Sequence, residues 1–230
     1  MRFTLATYNI HRCVGRDGVM SASRIAAVLS EIDADVVALQ EVPSMPDDLA
    51  DALTYLSQEV GARAILGVTM LRDEARYGNA LLTRLPVQEV RRHDLSVPGR
   101  EPRGALDVDV LCDGRMVQVI ATHLGLRPGE RRRQVRRLLT FLDVSRNSRI
   151  VLAGDLNEWF LWGRPLRWLR RIFPSTLARR TWPAHCPVFA LDRVWAYPSN
   201  ALLSLEVHKS AVAHIASDHL PLVAKIAFEA

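Results

Sequence analysis

The chain has 230 residues, enough for a sizeable core, and its hydrophobic fraction of 49% and charged fraction of 24% are globular values that exclude disordered, collagen-like and coiled-coil classes. Its 30 Lys and Arg against 25 Asp and Glu leave a net charge of +5, a mild bias toward anionic partners, and apart from Lys209 and Lys225 every basic side chain is Arg. Cys13, Cys112 and Cys186 are odd in number, far apart and without a CxxC, which argues against a disulfide framework and a zinc knuckle.

RFTLATYNI reads as an opening strand. Ser21 or Ser23 can cap a helix carrying Ile25, Val28, Leu29 and Ile32 at helical spacing, and DVVALQEV has the short apolar run of a buried strand. A second helix is expected from Asp48 to Val60. The pattern then turns β-rich from Ala62 to Thr122, with strands ARAILGV, NALLTR, VQEVRRHDL, GALDVDVL and MVQVIATHL separated by Gly, Pro and Asp turns. A helix from Glu130 to Val144 places Val135, Leu138, Leu139 and Leu142 on one face, with the arginines Arg131, Arg132, Arg133, Arg136 and Arg137 read as a solvated face. RIVLAGDLN is another buried strand, a short helix follows near Pro165 to Phe173, and LDRVWA, ALLSLEVH and DHLPLVAKIAF complete the strands. With no linker, repeat or low-complexity tract, one domain over residues 1–230 is expected, a mixed sheet or sheets with helices packed outside. No apolar run approaches the roughly 18 residues of a spanning helix, and the start shows no secretory pattern, so a cytoplasmic chain, at most peripheral at a membrane, is expected.

Polar residues recur at the ends of the apolar strands: Asn9 and His11, Gln40 and Glu41, His123, Asp155 and Asn157, Asp192, then Ser217, Asp218 and His219. A rigid sheet fixes Cα positions there and leaves short side chains to aim, so strand ends are where an α/β scaffold gathers a site. Singly, Glu41 reads as an exposed carboxylate, His123 as a hydrogen-bonded core imidazole, and Asp155 with Asn157 as a turn. Their recurrence at successive strand ends points to one site. A donor set of carboxylates and amides without Cys is hard and anionic and suits Mg²⁺ or Mn²⁺ better than zinc.

In order and spacing, LATYNIH, DVVALQEV, YGNALLTRLPV, VIATHLG, VLAGDLNEW, LDRVWA and ASDHLPLVAKI resemble the motif series of the endonuclease/exonuclease/phosphatase superfamily of deoxyribonuclease I-like phosphoesterases, over Leu5 to Ile226. The overall look is that of its small uncharacterised bacterial members. The resemblance implies a four-layer α/β sandwich, two mixed β-sheets face to face flanked by helices, with the motif loops meeting at one edge. It implies a metal-dependent phosphoester hydrolase, most simply a phosphodiesterase, in which Glu41 is the principal ligand for Mg²⁺ or Mn²⁺, with Asp218 and Asn9 supporting. His219 polarises or deprotonates the water, Asp192 orients His219, and Asp155 handles the leaving group or positions the nucleophile. Asn157 holds the nucleophile or phosphate, and His123 and Asn9 bind phosphoryl oxygens. In deoxyribonuclease I an acidic residue partners the histidine matching His123; here the stretch reads RYGNA, which leaves Tyr77 or Asn79 as the partner of that ring, or none. A non-catalytic binding or scaffold protein that keeps the fold is the alternative, and the completeness of the residue set argues for the enzyme.

Between Glu158 and Asp192 there is no acidic residue, and Arg164, Arg167, Arg170, Arg171, Arg179 and Arg180 fall there with Trp159, Trp162, Trp168 and Trp182. An outer helix burying Leu166, Leu169, Ile172 and Phe173 accounts for much of this stretch. Beyond it, Trp159 to Trp182 suits an anionic membrane surface or a nucleic-acid strand, with WFLWG more apolar than nucleic-acid grooves usually are.

Overall fold

The computed structural model describes residues 1–44, 51–72, 75–142, 144, 147–174 and 177–229, without the side chains of residues 44 and 68–77. One sheet is built from β1 (Arg2–Asn9), β2 (Val36–Ser44), β3 (Arg63–Arg72), β4 (Ala75–Thr83), β10 (Leu202–Val207) and β11 (Leu222–Ala227), in the spatial order β10-β11-β1-β2-β4-β3. The other holds β5 (Val87–Asp94), β6 (Gly104–Cys112), β7 (Arg115–His123), β8 (Ile150–Asp155) and β9 (Asp192–Tyr197), in sequence order. Both sheets are mixed: β1 and β2 run parallel, as do β7 and β8, and the remaining pairs are antiparallel.

Strand alternation sends each residue to one of two cores. Phe3 and Leu5 of β1, Val36 and Ala38 of β2, Val119 and Ala121 of β7, Val151 and Ala153 of β8, and Val194 and Ala196 of β9 meet between the sheets. The intervening residues of the first sheet, among them Tyr8, Val37 and Leu39, pack with α1 (Ala22–Ile32) and α2 (Ala52–Glu59). Those of the second, Ile120, Leu152 and Trp195, pack with α3 (Pro128–Phe141) and α4 (Arg164–Leu169). The result is the expected four-layer α/β sandwich. Burying strands on both faces explains their near-continuous apolar runs.

Helix limits shift for local reasons. Ser21 caps α1, its hydroxyl accepting from the Arg24 amide at 3.3 Å. The second helix, expected from Asp48, is seen from Ala52, capped by Asp51 (3.1 Å from the Thr54 amide); the start of the expected span lies outside the described residues. Pro128 begins α3 two residues before the expected Glu130. The short helix expected near Pro165 to Phe173 is α4, which runs from Arg164 to Leu169 and buries Leu166 and Leu169, with Phe173 buried just beyond and Ile172 only half-buried. A short α5 (Ala213–Ala216) was not expected.

Arg131 departs from the solvated face expected of it. It is 2% exposed and paired with the equally buried Glu158 (Nε to Oε2, 3.2 Å), while Nη1 donates to the carbonyls of Gly125 and Leu126. The pair ties α3 to the chain just after β8. Removing one partner strands a buried charge, so Glu158→Ala is expected to lower unfolding stability by about 3 kcal/mol, read by chemical denaturation.

Candidate active site

The alternation that builds the inter-sheet core also aims the site. Asn9, His123, Asp155 and Asp192 have the parity of the residues facing the other sheet, but they stand at strand ends, where the core opens. His123 is in register with Asp155, and Asp155 with Asp192, so three functional side chains form a row across β7, β8 and β9. Asn9 closes the gap between the sheets. Its Nδ2 donates to Asp155 Oδ2 and to Glu41 Oε1, both at 3.2 Å.

By simple alternation Glu41 would point toward the helices. The register of β2 on β4 shifts between Leu39 and Val42, and Glu41 takes a left-handed φ of 58°, so this bulge swings its carboxylate back to Asn9. Asn157 is also left-handed (φ 50°), its amide donating to Asp155 Oδ1 at 2.8 Å. Such backbone strain at two polar residues of one cluster is characteristic of a functional site.

His219 Nδ1 lies 2.9 Å from Asp192 Oδ2, and its Nε2 lies 3.7 Å from Asp155 Oδ2. Burial pulls the His219 pKa down, but Asp192, first through its charge and then its hydrogen bond, together with Asp155 and Asp218, outweighs this and pushes it up to about 10. Burial raises the pKa of Asp155. Asp218 is partly exposed; its Oδ2 accepts from Trp182 Nε1 at 3.1 Å, and its Oδ1 faces His11 Nδ1 at 3.9 Å. Asn9, Glu41, His123, Asp155, Asn157, Asp218 and His219 line a pocket of about 370 Å³, with Trp159, Trp182 and Leu126 in its wall.

The sequence profile of the Endonuclease/Exonuclease/phosphatase family matches residues 6–219. The chain belongs to this family. It is 29% identical, over 97% of its length and 96% of the relative's, to the uncharacterised protein YbhP of Escherichia coli K12. An endonuclease/exonuclease/phosphatase structure from Beutenbergia cavernae is 26% identical, superposes with a TM-score of 0.79, and covers 98% of this chain and 71% of its own. One from Bacteroides vulgatus, 16% identical, shares the fold over the whole of both chains with a TM-score of 0.79. The endonuclease/exonuclease/phosphatase family comprises metal-dependent phosphoesterases.

Two residues of this family member's site, Arg103 and Thr181, were not expected from the sequence. The ring of His123 is partnered by Arg103, whose Nη1 lies 3.2 Å from Nδ1, whereas Asn79 spends its amide on the Gly104 carbonyl at 3.0 Å; the side chain of Tyr77 lies outside the described residues. Both ring nitrogens face donors, Nδ1 the Arg103 guanidinium and Nε2 the Asn157 Nδ2 at 3.0 Å, with Asp155 Oδ2 3.6 Å from Nε2, so a neutral ring accepts from one of the two and carries its proton on the other side. Burial, then the charges of Arg103 and His219, hold the His123 pKa well below its ordinary value. Replacing Arg103 by Leu is expected to raise that pKa while burial still keeps it below the ordinary value, read by NMR titration of the ring. Thr181 donates to Asp192 Oδ2 at 2.5 Å, and Trp159 and Trp182 pack edge to face at 5.5 Å beside the pocket. Nothing local marks Arg103 or Thr181, because each reaches the site from a loop far away in sequence.

Proposed function

We propose that the chain is a phosphodiesterase that uses Mg²⁺, with Mn²⁺ as a substitute. The observation that carries this reading is the placing of Asp155 between two different groups, Asn9 with Glu41 on one side and His219 with Asp192 on the other.

The donor set fits a hard divalent cation. Carboxylates of Glu41 and Asp155 converge on one amide group, so the two oxygens stand no farther apart than two hydrogen-bond lengths, and Asp218 opens onto the same pocket. Glu41, with Asp218 and Asn9, would hold the ion. Asp155, Asp192 and His219 also bring ligand atoms within 4.8 Å of one another, but Asp192 and His219 are committed to each other, which favours the Glu41 side. When bound, the cation supplies Lewis-acid stabilisation of charge on the phosphoryl oxygens.

The protein groups do the rest. Asp192, held by Thr181, fixes the ring of His219 through Nδ1 and leaves Nε2 to polarise the attacking water; with its pKa pushed up to about 10 the ring would deprotonate that water only once the charge of a bound cation lowered the pKa. Neutral His123 and Asn157, hydrogen-bonded to each other and both lining the pocket, would bind phosphoryl oxygens. Asp155, whose raised pKa suits it to carry a proton, serves the leaving oxygen. The alternative, a binding protein without turnover, conflicts with the intact set Glu41, Asp155, Asn157, Asp192, Asp218 and His219. Hydrolysis of bis-p-nitrophenyl phosphate is expected in Mg²⁺ or Mn²⁺, with slower hydrolysis of the monoester and none in EDTA. Metal-independent turnover, or none with any metal, would overturn this reading.

A further inference from the structure

Trp159, Phe160, Leu161 and Trp162 are consecutive, uncharged and exposed, by 40, 56, 45 and 71% respectively. Scattered exposed apolar residues are ordinary, but a contiguous run of four is not. The segment has a rigid base: Glu158 beneath it is locked to Arg131, and the Gly163 amide closes a turn onto the Phe160 carbonyl at 2.9 Å. From Pro165 onward the chain turns its apolar residues inward again, so α4 leaves this tip uncovered. The tip adjoins the catalytic pocket, because Trp159 and the exposed Leu126 form part of the pocket wall.

Beyond Leu126 the surface becomes cationic. The next residue, Arg127, lines a second cavity, about 390 Å³, together with Arg100, Arg132, Arg133 and Arg136. Its one carboxylate, Glu130, is buried and turned toward Gln134. Arg100 is followed directly by Glu101, which lines the catalytic pocket, so at both Leu126–Arg127 and Arg100–Glu101 neighbouring residues of the chain line the two cavities. No side-chain ion pair engages Arg100, Arg127, Arg132 or Arg133 among the described residues.

We propose that this mouth docks on an anionic phospholipid surface and that the scissile phosphodiester is a lipid headgroup. The proposal rests on the phosphodiesterase reading. An aromatic tip enters the boundary between headgroups and acyl chains, where Trp is favoured, while the arginine cavity meets lipid phosphates; neither signal alone holds a protein firmly. A nucleic-acid strand would satisfy the arginines but offer no apolar counterpart to Leu126 and Leu161. In the reaction the oxygen of water bonds to phosphorus, one P–O ester bond breaks, and the departing alcohol takes the proton, so no further reactant is needed.

The test compares the parent with two variants, Phe160→Ser/Leu161→Ser/Trp162→Ser and Arg127→Gln/Arg132→Gln/Arg133→Gln, in flotation with vesicles of phosphatidylcholine alone or mixed with phosphatidylglycerol. The parent should float with the mixed vesicles and release a phosphate-bearing product from them. The apolar variant should lose binding by about tenfold or more. The arginine variant should lose about fivefold per charge, on mixed vesicles only. Both should hydrolyse bis-p-nitrophenyl phosphate as the parent does, since none of the apolar three lines the catalytic pocket and the arginines face the other cavity.

Failure of the parent to bind mixed vesicles, or parent-like binding by the apolar variant, overturns the proposal. So does binding without release of any lipid product while the soluble diester is cleaved. A parent dimer that the apolar variant dissolves would assign the patch to a second copy, and salt-sensitive binding of single-stranded DNA in place of vesicles would assign the arginines to nucleic acid; either refutes docking on lipid. Vesicle binding by a parent that cleaves no diester would instead refute the phosphodiesterase reading and leave the docking surface standing.

Discussion

Replacing Glu41 by Gln is expected to cut hydrolysis of a soluble diester by on the order of a hundredfold or more and to weaken Mg²⁺ binding in parallel, with the fold retained. Gln keeps the size of the side chain and an oxygen that can accept from Asn9, so the bulge that turns residue 41 inward keeps its geometry. What is lost is one negative charge in a cluster that also holds Asp155 and Asp218, and a hard cation is bound through such charge. Calorimetric titration with Mg²⁺ and steady-state turnover on the same protein measure the two effects, and circular dichroism checks the fold. Undiminished turnover, or a lost turnover with unchanged Mg²⁺ affinity, would remove Glu41 from the metal site. The left-handed φ of 58° is equally costly for Glu and Gln, which keeps backbone strain out of the comparison.

Much of this site was legible in the sequence because it follows from strand alternation. Asn9, His123, Asp155 and Asp192 each continue the parity of apolar neighbours that fill the space between the sheets, so a reader who sees the strands also sees where those side chains go. Mixed sheets with helices outside were legible for the same reason, since strands apolar on both faces need partners on both, whereas the four-layer arrangement followed from the family resemblance. Glu41 breaks the rule. Its orientation depends on a bulge, a change of register between two strands that periodicity does not encode. Arg103 was illegible in another way: as one Arg among many, it becomes the partner of His123 only when the loop before β6 folds against the end of β7. Arg131 looked like its neighbours on α3, yet Glu158 draws it inside, because two residues far apart in sequence meet under the loop that follows β8. Hydrophobic pattern locates a face of an element; partners across the fold decide which charged residue leaves it.

Asp192 and His219 are expected to behave as one unit. Asp192→Asn and His219→Ala should each lower turnover by on the order of a hundredfold, and the double variant should lose little beyond the worse single one, because an imidazole without its orienting carboxylate and a carboxylate without its imidazole fail in the same step. Losses that multiply would show that the two act separately. The same pair sets a pH dependence. In the parent, carboxylates hold His219 up to about 10, with Asp192 the foremost of them. A pKa raised on folding means that the charged ring stabilises the native state fully below the unfolded imidazole value of about 6.5, and that this contribution fades as pH rises through about 10. Asp192→Asn removes the leading upward influence while burial still acts downward, so the His219 pKa should fall steeply in NMR titration. Denaturation of parent and variant across pH should then show its widest stability gap below about 6.5 and a narrowing gap as pH rises toward about 10. A gap independent of pH would mean that Asp192 supports His219 by shape alone; its charge would then have to be assigned to the metal instead.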